Sequence, residues 1–311
     1  MNDLSLPNAS TLSSLSLPQA GRRLLVLFNP MAGRRHGGRF RHVLHLLAEQ
    51  GCQVTVQTTT GPGHAQGLAA SAQRQDYDVV VAAGGDGTIN EIVNGLTADA
   101  PPLALIPMGT ANVLAHELGV PLHAAAVAKL IAEGTPRFIR PGRVNGHAFV
   151  QMAGFGIDAH VVANVNRRLK RLTGKGAYVW QSMVEMMRSP YAPFEVVCDG
   201  RVIEAYSGIV SRGRFYGGRF VAARDADNTR DSFEVTLFTR PGRAWATLFS
   251  AALMTGQFHR CPGVLQLAAR VIDVSAPHGQ PVQVDGELAE PVPAHFELAP
   301  ELIAVVAPVR V

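Results

Sequence analysis

The residues best suited to chemistry lie in three glycine-bearing loops, each closing an apolar run and each followed by helical spacing. Val79-Val80-Val81-Ala82-Ala83 runs into Gly84-Gly85-Asp86-Gly87-Thr88-Ile89-Asn90-Glu91. In an α/β sheet the carboxyl end of a strand opens onto the ligand crevice, and the next helix aims its N-terminal N–H groups into it. Glycines there let the backbone approach phosphate oxygens closely. Asp86 would repel a bare phosphate, so its place among the glycines fits a divalent cation held between the two, directly or through water. The competing reading is an ordinary strand-to-helix turn capped by Asp86 or Thr88. Two further loops weigh against it: Asn29-Pro30-Met31-Ala32-Gly33 after the first apolar run, and Pro107-Met108-Gly109-Thr110-Ala111-Asn112 after Ile106. Each offers backbone donors and a small polar side chain, Asn29 or Thr110, at a strand end.

Bringing these loops to one edge requires a parallel sheet, and the chain alternates as such a sheet demands. Residues 24–28, 54–57, 78–82 and 103–106 read as strands, and 40–49, 64–73 and 88–96 carry helical spacing. Helices at 111–118 and 122–132 follow. This order implies right-handed crossovers and helices on both faces of the sheet. Past residue 144 the texture turns β-rich, broken by Gly and Pro, with helical stretches at 164–187 and 244–254. The expected organisation is a mobile tail over 1–20, an α/β domain with a parallel sheet over 21–143, and a β-rich domain over 144–311.

Composition narrows the class. The 311 residues are 47% hydrophobic and 17% charged, which suits a buried core and argues against disorder or a coiled coil. A net charge of +4 biases the chain only mildly toward anionic partners, too weakly to imply nucleic acid. Lysine occurs only at Lys129, Lys170 and Lys175, none of them in a Walker loop or a V-A-I-K strand, so Walker-type NTPases and ordinary protein kinases fit poorly. Cys52, Cys198 and Cys261 are odd in number and far apart, which argues against a disulfide framework or zinc knuckle and suits a reducing cytoplasm. No apolar run reaches the roughly 18 residues that span a bilayer, and the first residues lack a signal-peptide pattern. A soluble or peripheral protein is expected.

Several features have plain structural readings. Gly154-Phe155-Gly156-Ile157-Asp158-Ala159 matches G-x-G-x-x-A, but it lies in the β-rich half and reads as close backbone packing. His116-Glu117 lacks the second histidine of a zinc motif. Arg167-Arg168-Leu169-Lys170-Arg171 with Lys175 is either a solvated helix face or a patch for an anionic membrane. Trp180, Met183, Val184 and Met187 recur at helical spacing and read as core. Asp285-Gly286 is by itself a hairpin turn signal.

Taken together, N-P-x-x-G, G-G-D-G-T-x-N-E and P-x-G-T-A-N resemble the catalytic domain of bacterial diacylglycerol kinases and related soluble lipid kinases, over about residues 21–311. Thr59-Thr60-Gly61-Pro62-Gly63-His64-Ala65, Tyr216-Gly217-Gly218 and Val284-Asp285-Gly286-Glu287-Leu288 fit the same pattern. NAD kinases and phosphofructokinases share the G-G-D-G-T segment but not its company. The resemblance implies an ATP-dependent lipid kinase with Mg²⁺, its active site in the cleft between the domains, and a last strand that returns to the first domain. It places ATP against Asn29, Pro30, Met31, Ala32, Gly33, Thr59, Gly84, Gly85, Asp86, Gly87, Thr88, Ile89, Asn90 and Thr110. It makes Asp285 the general base, with Glu287 assisting; residues two apart on a strand share a face, so both could enter one cleft.

The resemblance also implies a structural metal loop over 225–233, with Asp231 as carboxylate ligand and the carbonyls of Asn228 and Phe233 as oxygen ligands. Here the chain departs from the pattern. Arg224 stands where Pro is usual, and Ser232 replaces the Gly after Asp. Val113 replaces an Asp after G-T-x-N. The expected partner is a lipid alcohol, with peripheral contact at the anionic inner face of the membrane. Diacylglycerol, phosphatidylglycerol and sphingoid bases stay open as acceptors, as does the oligomeric state. The rivals are an NAD kinase or other small-alcohol kinase, and a non-catalytic nucleotide or lipid sensor.

Overall fold

The computed structural model describes residues 21–32, 37–164, 192–277 and 279–309. The expected tail, the basic cluster at 167–175 and the apolar stripe at 180–187 lie outside them.

Strands β1 (Arg23–Phe28), β3 (Val79–Gly84) and β4 (Leu103–Pro107) are the continuous apolar runs of the first half, and their central residues are buried on both faces. Strand periodicity divides their side chains between two layers. Leu25, Leu27, Val80, Ala82, Leu103 and Leu105 pack against helices α2 (His64–Ala70), α3 (Asp86–Gly95) and α4 (Val113–Leu118). Leu24, Val26, Val79, Val81, Ala104 and Ile106 pack against α1 (Gly37–Glu49) and α5 (Ala124–Glu133).

β2 (Gln53–Thr58) runs parallel to β1 at the edge of this sheet, with largely exposed side chains. The six strands follow the order β2-β1-β3-β4-β20-β5, in which β5 (Pro136–Ile139) lies at the other edge and β20 (Ile303–Val306) is the last strand of the chain. β20 is parallel to β4 and antiparallel to β5.

Between Ile139 and Gly142 the chain leaves this sheet for two antiparallel ones. One contains β6 (Gly142–Val144), β7 (His147–Phe149), β9 (Phe194–Cys198), β10 (Arg201–Ala205), β16 (Ile272–Ser275) and β19 (Ala294–Leu298). The other contains β8 (Met152–Phe155), β11 (Ser207–Ser211), β14 (Phe233–Phe238), β15 (Val264–Ala269), β17 (Val282–Val284) and β18 (Glu287–Leu288). Their facing residues, among them Phe149, Phe155, Phe194, Phe233, Ile272 and Phe296, form one shared core. A short ribbon joins β12 (Phe215–Tyr216) to β13 (Phe220–Val221).

Helix ends depart from the apolar periodicity where polar groups intervene. α2 stops at Ala70, three residues before its pattern ends, with the Ser71 hydroxyl donating back to the Leu68 carbonyl at 2.8 Å. α4 begins only at Val113 because Asn112 is left-handed, with φ 49°. α6 (Ile157–Asn164) follows β8 directly, and α7 (Arg243–Thr255) covers the stretch expected near 244–254. The remainder of the helix expected at 164–187 lies outside the described residues.

Candidate active site

The three glycine loops meet at the carboxyl edge of the parallel sheet. Asn29 Nδ2 donates to Thr88 Oγ1 at 2.8 Å, tying the first loop to the second, and Asn29 Oδ1 accepts from the Met31 N–H at 2.9 Å. The second and third loops touch through glycine: a Cβ on Gly85 or Gly109 would press on the backbone of the other. The α3 N-terminus has Gly85 as its cap residue and no side-chain cap, so its first N–H groups open toward the crevice. Asp86 does cap a helix, but the neighbouring one: its Oδ1 accepts the Val113 N–H of α4 at 2.7 Å. Val113 donates through its backbone, so replacing the Asp expected there leaves this link intact. Asn112 closes the third loop on itself, accepting from Gly109 N at 2.8 Å and donating to Gly109 O at 3.0 Å.

The sequence-expected nucleotide residues are distributed unevenly around this edge. Thr59 is buried, its N–H donating to the Phe28 carbonyl at 2.8 Å, whereas Met31 and Thr110 are exposed. Pro30 and Ala32 flank Met31 in the first loop. Ile89 is an exception: its side chain belongs to the core beneath α3 and presents nothing to the crevice. Gly33 lies outside the described residues.

Asp285 enters from the other half of the molecule. It and Gly286 occupy the turn between β17 and β18 with φ 47° and 88°, the left-handed pair that a two-residue hairpin needs. The argument from a shared strand face therefore gives way to a turn. Asp285 sits at the tip, Glu287 starts the returning strand, and α3 gathers both. Asp285 Oδ2 accepts from Asn90 Nδ2 at 3.0 Å, and the Glu287 side chain lies where a Cβ on Gly87 would stand. Gly87 and Asn90 are one helical turn apart on α3. The turn reading and the active-site reading of Asp285-Gly286 thus describe the same residues.

The Asp285 carboxylate is anchored by backbone as well. Val150 N donates to Oδ2 at 2.9 Å, and Gln151 N and Met152 N donate to Oδ1 at 3.0 Å each. With Asn90 this fills the four acceptor positions of a carboxylate. Burial pushes the Asp285 carboxyl above the usual aspartate range, and these four bonds oppose the shift. Asp86 is pushed the same way, first by burial and then by the charge of Asp285, with the N–H groups of Val113, Leu114 and Asn112 opposing.

α3 also docks the two halves on each other. Asn94, one turn beyond Asn90, grips Ala148 of β7 from both sides, donating to its carbonyl at 3.0 Å and accepting its N–H at 2.8 Å. Asn90 Nδ2 donates to the same carbonyl at 3.1 Å. Sequence reasoning missed Asn94; the signal was there, since Gly87, Asn90 and Asn94 recur at helical spacing.

It also missed a further buried carboxylate. Asp158 on α6 accepts a short hydrogen bond from the Tyr216 hydroxyl and another from Gln283 Nε2 at 2.6 Å, and Gln283 Oε1 accepts the Gly286 N–H at 2.9 Å. Asp158 thus braces the Asp285 turn through one side chain. The G-x-G-x-x-A match belongs to this device: a Cβ on Gly154 would collide with the Asp158 carboxylate, and one on Gly156 with Tyr206 and Ser207. Close packing explains both glycines; a strand-to-helix step is present here, but β8 pairs antiparallel with both its neighbours.

In the loop over 225–233 two of the expected metal ligands, Asn228 and Asp231, already hold protein partners. The Asn228 carbonyl accepts the Arg140 N–H at 2.7 Å and Arg212 Nη2 at 2.9 Å, and Asp231 forms an ion pair with Arg140 Nε at 3.1 Å. Phe233 is the first residue of β14, paired opposite Ala269. Among the described residues no group of three or more His, Cys, Asp or Glu side chains is placed to hold a metal.

Both halves of the chain have counterparts among known proteins. Residues 23–144 match the diacylglycerol kinase catalytic domain, and residues 151–307 match the YegS C-terminal NAD kinase beta sandwich-like domain. Diacylglycerol kinase of Bacillus subtilis (strain 168) is 28% identical over 293 residues, covering 92% of this chain and 97% of that protein. Diacylglycerol kinase of Staphylococcus aureus (strain MRSA252) is 27% identical, covering 92% and 93%. The crystal structure of a putative diacylglycerol kinase from Bacillus anthracis str. Sterne superposes with a TM-score of 0.77 at 22% identity, over 94% of this chain and 99% of that one, which supports the fold. With both halves matched in order and the two motif sets joined at α3, the chain belongs to the diacylglycerol kinase family and is a lipid kinase.

Proposed function

We propose that this protein transfers the γ-phosphoryl group of ATP, bound with Mg²⁺, to a hydroxyl of diacylglycerol or a related lipid alcohol. The observation that carries this reading is the seating of the Asp285-Gly286-Glu287 turn on the first turns of α3, beside the uncapped helix start and the glycine loops. In this reading residues 21–143, with β20, bind the nucleotide, and the rest of 144–311 presents the acceptor.

The crevice suits a chain of phosphates. Gly85 and Gly109 put backbone against backbone, and the uncapped start of α3 offers its N–H groups to the crevice. A divalent cation would find carboxylates at Asp86 and Glu287 and, when bound, neutralises phosphate charge. Asp285 acts as general base, taking the proton of the acceptor hydroxyl as its oxygen attacks phosphorus. To accept a proton Asp285 must release one hydrogen bond. Asn90 is the side chain able to do so, because the other three donors are peptide N–H groups at the entry to β8. Burial brings the carboxyl closer to the range where it takes a proton, while the peptide donors keep it ionised beforehand.

Because the acceptor resides in a bilayer, the proposal places the protein in the cytoplasm with peripheral contact at an anionic membrane surface. No described helix is long and apolar enough to cross a membrane. The test is transfer of labelled γ-phosphate from ATP and Mg²⁺ to a panel of hydroxyl lipids in mixed micelles, with NAD as control. Label in one lipid supports the proposal. Label in NAD replaces it with a soluble-alcohol kinase, and ATP binding with no lipid labelled replaces it with a sensor.

A further inference from the structure

The geometry points to a guanidinium, that of Arg212, as the cation that organises the 225–233 loop in place of a structural divalent metal. Arg212 directly follows β11 and is fully buried. Its Nη1 donates to the Ser232 carbonyl at 2.5 Å, its Nη2 to the carbonyls of Asn228 and Arg230 at 2.9 Å each, and its Nε to the Arg140 carbonyl at 2.8 Å. The ring of Phe233 lies 5.6 Å from the guanidinium carbon and supplies a π face. Four of the five guanidinium N–H donors are thereby satisfied inside one loop and its neighbour.

A metal would compete for one of these oxygens. The Asn228 carbonyl, one of the ligands that the family resemblance implies, already accepts two hydrogen bonds and has no lone pair left. Asp231, the implied carboxylate ligand, pairs with Arg140 on the other side of the loop. A divalent ion here would also face the guanidinium groups of Arg212 and Arg140 at close range. The buried side-chain amide of Asn228 has no protein partner, but it carries a donor as well as an acceptor and so suits a water molecule better than a cation.

The charge persists despite burial. Burial lowers the Arg212 pKa to about 10, helped by the like charge of Arg140 and opposed by Asp227 and Asp231, so the group stays protonated at neutral pH. The position of Ser232 follows as well: its carbonyl is an acceptor for Arg212, and this needs no glycine.

This inference does not depend on which acceptor is phosphorylated, or on whether transfer occurs. The test uses the nucleotide-free full chain. Thermal melts in EDTA, in MgCl₂ and in CaCl₂ should coincide, and Mn²⁺ binding followed by electron paramagnetic resonance should be the same in wild type and Asp231→Asn. A saturable rise in melting temperature with divalent ion that Asp231→Asn abolishes, or a Mn²⁺ site present in wild type and lost in Asp231→Asn, would overturn the assignment. Arg212→Ala should lower the melting temperature, and adding Mg²⁺ should recover part of the loss, because the vacated carbonyls are then free to ligate. Arg212→Ala as stable as wild type in EDTA would overturn it too. Should Arg212→Ala fail to fold, the wild-type melts and the Asp231→Asn comparison still decide.

Discussion

Replacing Asp285 by asparagine tests the site more sharply than its isosteric shape suggests. Both carboxylate oxygens accept two hydrogen bonds: Oδ1 from the N–H groups of Gln151 and Met152, Oδ2 from that of Val150 and from Asn90. An amide must put its NH₂ in place of one of them, so two donors face a donor whichever way it turns. Leaving a buried donor unpaired costs about 1–3 kcal/mol. The Asn90 side chain can rotate away, which favours the orientation that strands only Val150. The neutral amide also escapes the burial that raises the Asp285 carboxyl, which offsets part of the loss. A net destabilisation of about 1–3 kcal/mol remains, enough to lower the melting temperature by several degrees. Loss of a general base should reduce turnover by about 10²- to 10⁴-fold, with nucleotide affinity retained. Thermal melts and single-turnover phosphoryl transfer read the two effects separately. Wild-type stability would show that the four donors do not converge on this carboxylate, and wild-type turnover would remove Asp285 as the base.

The neighbouring residues give contrasting expectations. Glu287 is exposed, so Glu287→Gln should leave the melting temperature unchanged while lowering turnover by about tenfold or more, on the order of 1.4 kcal/mol in the barrier; equal turnover would exclude an assisting role. Gly87→Ala should fold, because the added methyl meets only the flexible end of Glu287, and should impair turnover by displacing it. An unimpaired Gly87→Ala enzyme would mean that Glu287 acts from elsewhere. Thr88→Val removes the acceptor of the Asn29 amide and should weaken ATP binding by about 1 kcal/mol, measured by titration calorimetry. Unchanged affinity would free the first loop from dependence on that bond. Burial raises the Asp158 carboxyl, against the bonds from Tyr216 and Gln283. A raised folded-state value contributes stability that is fully present below the unfolded value and is lost as pH rises through the folded one. Wild type should therefore gain stability relative to Asp158→Asn as pH falls from neutral through that window, and a loss relative to the variant would show that the two hydrogen bonds outweigh burial.

Much of the first sheet was legible in the sequence because its central strands are buried on both faces. Continuous runs such as Val79–Gly84 have few other readings once a glycine turn and a helical pattern follow. The glycine loops were legible for a related reason: strand order alone sends successive strand ends of a parallel sheet to one edge. The edge strand β2 was weaker, since its exposed side chains carry little apolar signal.

What the chain could not disclose locally is every contact whose partner lies far along it. Asn90 and Asp285 are separated by 195 positions, and Asp158 and Gln283 by 125. Neither spacing nor periodicity encodes such pairs; docking of the two halves creates the first, and packing within the β-rich half creates the second. The same limit governs Asp285-Gly286, which local conformation identifies as a turn and tertiary docking turns into a site. It governs the 225–233 loop as well. Read alone, Asn228, Asp231 and Phe233 could supply oxygens to a metal, but the fold brings the Arg212 side chain, just past β11, onto the Asn228 carbonyl and the neighbouring carbonyls of Arg230 and Ser232. Local sequence determined which backbone turns and apolar faces could form; only the tertiary structure decided which buried polar groups satisfy one another, because a donor's partner is chosen by proximity in space.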